Sequence, residues 1–581
     1  MRICNHPNAR SPSRSATHSR AARKEHRLTG DRERAIPPLE CIELRAERQL
    51  RLADLWAIAA DGASLALSEE IRARMRASEG VLTRHLAAGR RVYGVTTGYG
   101  PQVRHAVDPE RASQLQRNLI FHLATGVGAP LSARATRAMM TARIANLARG
   151  HSAIGWNVVA LVLACLDADV LPVVPEMGTV GASGDLTPLA HLGLMLLGEG
   201  SATFAGETLP ANVALTRAGL EPLEFGGKDG LALVNGTAAM TGIAALNATS
   251  ARRLWEFALR LGALYAETLG GRGEAFDPRL GIARPHPGQI FAHARLEQIL
   301  AGSSRLRPAD ALSTGGDDER ELLQDPYSIR CLPQIFGAAH DVLAFHDGIV
   351  ATELNSATDN PLVFAADDEI VHGGNFFGQP VAYASDALAC AVINIAVHAE
   401  RAIARLCDPQ QNRGLPAFLH AAPSGLNSGY MGAQVTATAL VAEMRTLALP
   451  ASIQSIPTNA NNQDVVPMGT IAARKTARLL ELAWLVLAIE AMMLADGVEL
   501  RLKETDADAR LFAHESRSLV TWIRSMIEPL NEDRSLSVEI STLARTLERD
   551  ADSAVGTPSS RSSAQNDSPD SLQMLASKVR T

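Results

Sequence analysis

Thr179-Val180-Gly181-Ala182-Ser183-Gly184-Asp185-Leu186-Thr187 places three small residues, Ala182, Ser183 and Gly184, just ahead of the apolar, helix-like run Pro188–Leu197. Three such residues cannot drive core packing. The segment therefore reads as a tight turn held in place by something larger, and its neighbours decide what it is for.

Gly184 lacks a Cβ, so its backbone nitrogen can approach the carbonyl carbon of Ala182 where a side chain would block it. Attack by that nitrogen with loss of two waters, one carrying the Ser183 hydroxyl, closes a methylidene-imidazolone ring, an electrophile made from the chain itself. The plain alternative is a small-residue turn capped by Asp185 or Thr187. For these residues taken alone, the plain alternative prevails.

Composition sets the frame. With 581 residues, 46% apolar and 20% charged, the chain reads as an ordinary soluble globular protein of several packed layers. Aromatics are only 4%, so the core must be Leu, Ala, Val and Ile, which suits closely packed helices. A net charge of -6 argues against a nucleic-acid or membrane-surface partner. Cys4, Cys41, Cys165, Cys331, Cys390 and Cys407 are scattered without metal spacing, which fits a reducing cytosol. No H-E-x-x-H or G-x-x-x-x-G-K-[ST] occurs, so metal-assisted and P-loop chemistry have no motif.

Along the chain, residues 1–35 and 551–581 read as disordered tails. The first tail is Arg-rich without an apolar h-region, which excludes a secretory signal. The segment from Pro38 to about Ala88 reads as short amphipathic helix with polar breaks. Tyr93-Gly94-Val95-Thr96-Thr97-Gly98-Tyr99-Gly100-Pro101 reads as a Gly-hinged lid loop bearing two tyrosines. Long helices are expected over Thr237–Leu269, Gly337–Leu354, Val381–Leu406, Ser428–Leu449 and Ala472–Gly497. Glu481 and Glu490 interrupt the most apolar run, Leu479–Leu494, which favours a buried bundle helix over a membrane span. The boundaries expected are an N-terminal domain over 36–235, carrying turn and lid, and a central helical bundle over 236–550.

Together, Tyr93–Pro101, Asn118–Gly128, Gly181–Leu186, Asn235–Thr237, Gln324–Arg330, Thr358–Pro361, Gly373–Gly378, Asn412–Leu419 and Asn461–Gly469 resemble the aromatic amino-acid ammonia-lyase family of histidine, phenylalanine and tyrosine lyases. The resemblance implies a mainly α, long-helix, L-aspartase-like bundle, a homotetramer with shared active sites, and a 4-methylidene-imidazol-5-one formed from Ala182, Ser183 and Gly184 as the prosthetic group. It implies that Tyr93 on the lid or Tyr327 acts as the β-proton base, and that Arg330 clamps the substrate carboxylate through its planar fork. Asn235 and Gln324 match positions that hydrogen-bond substrate and ring, and Phe376 matches one that packs on the ring. Read singly, these residues are a turn tyrosine, a surface arginine, a helix cap, a loop amide and a core aromatic.

Two positions bear on substrate. His122-Leu123 resembles the tyrosine lyase pair, where phenylalanine lyases carry Phe-Leu and histidine lyases Ser-His. A buried imidazole there would pair with a phenolic hydroxyl, and phenylalanine would leave it unpaired at roughly 1–3 kcal/mol. In Asn461-Asn462-Gln463-Asp464, histidine lyases read Asn-Gln-Glu-Asp, and the neutral Gln463 cannot serve as the carboxylate that grips an imidazole. Asn462 and Gln463 are thus expected at the substrate, and L-tyrosine is the expected substrate. Histidine or phenylalanine lyase, and a β-aminomutase using the same ring, are the alternatives.

Overall fold

In the computed structural model, which describes residues 41–308, 324–420, 425–505 and 508–550, the segment expected to be short amphipathic helix opens on a strand instead. β1 (Cys41–Leu44) pairs in parallel with β2 (Ser64–Leu67), and α1 (Leu52–Ala60) crosses between them. Each strand has four residues, too few for a period of two to stand out from a helical pattern. α2 (Glu69–Ala87) follows, started by Ser68, whose side chain accepts from the Ile71 N–H. Both expected tails lie outside the described residues.

Beyond the lid loop come α3 (Ala112–Leu123), β3 (Val127–Pro130), α4 (Ala133–Leu147), α5 (Trp156–Asp167), β4 (Leu171–Pro172) and β5 (Pro175–Met177), with β3 antiparallel to β5. A short strand, Val127–Pro130, thus separates α3 from α4. α6 (Leu186–Leu196) leaves the small-residue turn directly. β6 (Ser201–Phe204) and β7 (Glu207–Pro210) complete a three-stranded antiparallel sheet with β4, and α7 (Ala211–Arg217) and α8 (Asp229–Val234) follow.

The remainder is helical: α9 (Ala238–Thr268), α10 (Pro278–Ala283), α11 (Pro287–Ile299), α12 (Tyr327–Arg330) and α13 (Leu332–Leu354), then the hairpin β8 (Leu362–Phe364) and β9 (Glu369–Val371), then α14 (Gln379–Cys407), α15 (Met431–Thr446), α16 (Gly469–Thr505), α17 (His514–Arg524) and α18 (Ser537–Asp550). The long helices sit close to their expected bounds, although α13 begins earlier and α16 runs further. α9 is buried on nearly every face, as a helix with neighbours all round must be. Its first two turns pack with the N-terminal elements, and from Ala251 onward it packs with α13, α14 and α16. Apolar packing thus runs across the expected boundary at residues 235 and 236.

Among the described residues α14 is the one helix long and apolar enough to cross a membrane; 61% of its apolar window is buried inside the bundle. In α16, burial pushes the Glu490 carboxyl up to about 8, so a neutral acid sits among apolar helices.

Asp185 ties these parts together. Its fully buried carboxylate accepts from the Met240 N–H at 2.8 Å on α9 and from the Thr470 hydroxyl on α16. Its side chain makes no cap on α6, contrary to the plain reading of the turn, and instead meets the first turn of α9 at Met240. Burial raises its pKa from 3.8 to about 6 against the pull of those hydrogen bonds. Between these values the folded chain holds a proton that the unfolded chain has released, so this group's contribution to stability falls as pH rises from 3.8 to about 6. The stability of the wild-type protein relative to Asp185→Asn, measured by denaturant unfolding, is expected to rise as pH is lowered from 7 to 4; a flat or opposite trend contradicts the assignment.

Candidate active site

The turn is held from both sides. Thr179 Oγ1 accepts from the Gly181 N–H at 3.0 Å and donates to the Gly184 carbonyl at 3.3 Å, and the Gly184 N–H returns to Gly181 O at 3.1 Å. Ser183 (φ 54°) and Gly184 (φ 78°) are both left-handed. Gly184 then bridges in parallel to Gly236, and the Asp185 N–H donates to Gly236 O at 2.7 Å. A Cβ on Gly184 would fall 2.2 Å from that oxygen, and one on Gly236 would fall 2.2 Å from Arg143 Nη1. Only glycine fits at either position. The residues present therefore fit a cyclised Ala182-Ser183-Gly184: the pinched backbone, the missing Cβ and a serine hydroxyl within reach of other groups are all there.

That hydroxyl accepts from Gln463 Nε2 at 3.3 Å, while Gln463 Oε1 accepts from Thr458 Oγ1 at 2.8 Å. Between them Asn459, Ala460 and Asn461 all hold positive φ, a strained loop of the kind found at functional sites. The same loop meets the lid: a Cβ on Gly100 would lie 2.6 Å from Asn459 Nδ2 and 3.7 Å from Asn462 Oδ1. The Gly100 N–H donates to the Tyr93 hydroxyl oxygen at 2.9 Å. Tyr93 and Tyr99 pack edge to face, and burial pushes the Tyr99 phenol well above its ordinary range. Tyr93 N lies 3.4 Å from His372 Nε2, at the start of the loop that carries Phe376 to α14. Tyr93, Ser183, Asn462 and Gln463 are thus linked through contacts within one chain, and Phe376 stands on an adjoining loop.

Asn235 is buried beside Gly236. Its Nδ2 donates to Asp359 Oδ1 and to the Asn360 carbonyl, each at 3.0 Å, and its Oδ1 is buried with no partner. Lys228 donates to Asp359 Oδ2 at 2.5 Å, with both side chains fully buried. Burial lowers the Lys228 pKa, and Asp359 opposes the shift. Arg143, fully buried, is pushed down to about 10 by desolvation and donates to the Asn235 and Ala232 carbonyls. None of Lys228, Asp359, Arg143 and Asp185 was singled out by sequence reasoning for the site. One signal was there: Lys228 is one of five lysines in a chain whose cations are otherwise arginine, and it directly precedes an apolar helix.

His122 and Leu123 end α3. Leu123 packs on the core, but His122 is exposed, where burial was expected. His122 Nδ1 lies 3.1 Å from the Asn118 carbonyl, so the neutral ring carries its proton there and keeps Nε2 as an acceptor.

Gln324, Tyr327 and Arg330 lie elsewhere. Ser328 meets Tyr265 Oη at 3.2 Å, far along α9, and its carbonyl meets His398 Nε2 at 2.8 Å on α14. With about 1.5 Å of rise per residue, Met240, bonded to Asp185, and Tyr265 are separated by roughly 40 Å along α9. Tyr327 is 68% exposed with the Arg330 guanidinium 4.7 Å from its ring centre, Arg330 Nε is buried with no hydrogen-bond partner, and Gln324 is exposed. One chain therefore does not bring these three residues to Ser183.

Residues 50–523 match the model of the aromatic amino acid lyase family. A tyrosine ammonia-lyase of Cereibacter sphaeroides is 47% identical over 521 residues, covering 88% of this chain and 98% of that protein. A histidine ammonia-lyase of Myxococcus xanthus is 42% identical, over 86% of this chain and 95% of its own length. The crystal structure of a tyrosine aminomutase from Streptomyces globisporus superposes with a TM-score of 0.84 at 35% identity, over 88% of this chain and 98% of that one. The chain belongs to the aromatic amino acid lyase family and is a carbon–nitrogen lyase.

Proposed function

We propose that this enzyme eliminates ammonia from an aromatic L-amino acid, with L-tyrosine preferred and 4-hydroxycinnamate (p-coumarate) as product. The observation that carries the reading is the turn itself: left-handed at Ser183 and Gly184, pressed on Gly236 where no Cβ fits, with its hydroxyl engaged by Gln463. Ala182, Ser183 and Gly184 would form the methylidene-imidazolone, which when formed supplies the electrophile that protein side chains lack.

The chain's own residues do the rest. Tyr93, its phenol oxygen fixed by the Gly100 N–H, is the proposed base for the β-proton, with Tyr327 as the second tyrosine. Arg330 holds the substrate carboxylate through its planar fork. Asn235 and Gln324 hydrogen-bond to substrate or ring, Phe376 packs against the ring, and Asn462 and Gln463 line the same space. His122 Nε2 accepts from the phenolic hydroxyl of tyrosine, and Leu123 packs on its ring. A phenylalanine ring leaves His122 unpaired, at roughly 1–3 kcal/mol.

The proposed assembly is a homotetramer whose sites are shared. The separation of Tyr327 and Arg330 from Ser183 along α9 supports sites shared between copies. Leu426, Val435, Leu449, Ile453, Ile456 and Val465 are all exposed around α15 and the loop after it, an apolar surface that partner copies would cover. A reducing cytosol is the proposed location, where the free thiols of Cys41, Cys165, Cys331, Cys390 and Cys407 would persist.

Ultraviolet absorbance of the purified enzyme with L-tyrosine, L-phenylalanine or L-histidine reads the conjugated acrylate directly. Tyrosine is expected to react about tenfold faster or more than phenylalanine, the signal to vanish in Ser183→Ala, and His122→Phe to shift preference toward phenylalanine. Urocanate forming fastest makes this a histidine lyase, and β-amino acid in place of acrylate makes it an aminomutase. Shared sites are tested by co-expressing Ser183→Ala with Tyr327→Phe: random mixing of inactive subunits should restore about a quarter of wild-type activity. No recovery in mixed tetramers contradicts sharing.

A further inference from the structure

The Lys228–Asp359 pair is buried on both sides and 2.5 Å long. An apolar pair of similar volume often serves a fold as well as a buried ion pair, because two charges must be stripped of water. Packing alone gives no reason for it.

Its contacts do. Asp359 divides its oxygens: Oδ2 takes the Lys228 ammonium and Oδ1 takes Asn235 Nδ2. The Asn360 carbonyl also accepts from Nδ2, at 3.0 Å. Turning the amide over would set its oxygen against a carboxylate and a carbonyl, so the amide has one orientation. The Arg143 guanidinium pins the backbone carbonyl of the same residue at 3.0 Å. What remains is Asn235 Oδ1, buried and without a partner, one residue from the carbonyl that closes the small-residue turn.

We propose that the Lys228–Asp359 pair is a positioning device that fixes the amide of Asn235 so that Oδ1, and not Nδ2, is the atom offered beside the Ala182–Gly184 turn, to a donor such as the amino group of the substrate. The inference rests on the reading of Asn235 as a site residue.

The test uses the full-length enzyme as wild-type, Asn235→Ala, the charge-free double variant Lys228→Met/Asp359→Leu, and the triple variant combining them. Melting temperature, kcat and KM are measured for each. The double variant is expected to fold, to lose about tenfold or more in kcat with KM changed by less than about threefold, and to lose little more than about threefold when Asn235→Ala is added. A folded double variant with wild-type kcat overturns the proposal, as do penalties that multiply in the triple variant. Failure of the double variant to fold assigns the pair to the fold and overturns it too. Asn235→Ala with wild-type activity is a separate failure, removing Asn235 from the site and the inference with it.

Discussion

Gly184 and Gly236 meet backbone to backbone, closer than any side chain permits, and the rest of the candidate site is arranged around that contact. On one side the turn Ala182–Gly184 is pinched into left-handed geometry. On the other, Asn235 and Gly236 end α8 and lead into α9, the most completely buried helix of the bundle. Asp185 secures the junction by binding α9 and α16 at once. A segment that is small and polar by composition thus becomes one of the best-held places in the chain.

The long helices and the small-residue turn were legible in the sequence, and for physical reasons. Helices as apolar as α9, α14 and α16 carry a pattern over many turns, and three small residues ahead of an apolar run have few readings. β1 and β2 were not legible, since their pairing is long-range and each is four residues long. The buried cluster of Lys228, Asp359, Arg143 and Asp185 was missed because each partner lies far away in sequence: the ion pair spans 131 residues. Local periodicity holds no trace of such a pair. His122 shows the converse limit: its motif led to an expectation of burial, and this chain's own residues leave it exposed at the end of α3.

The separation of Tyr327 and Arg330 from Ser183 gives the architecture a functional logic. Rigid helices roughly 40 Å long cannot fold back to unite both ends, and in the proposed assembly a second copy brings one chain's α12 to another's turn. The same helices that keep the two half-sites apart in one chain would hold them in fixed register between chains. In the proposed assembly, dependence of the chemistry on a second copy would be a property of helix length.

The account stands on cyclisation of the turn. Mass analysis of the proteolytic fragment that contains Ala182, Ser183 and Gly184 reads it directly. A fragment lighter than its sequence by two waters, with the deficit confined to these residues and absent from Ser183→Ala, is the predicted result. A fragment of unmodified mass from enzyme that nevertheless forms the acrylate would contradict it.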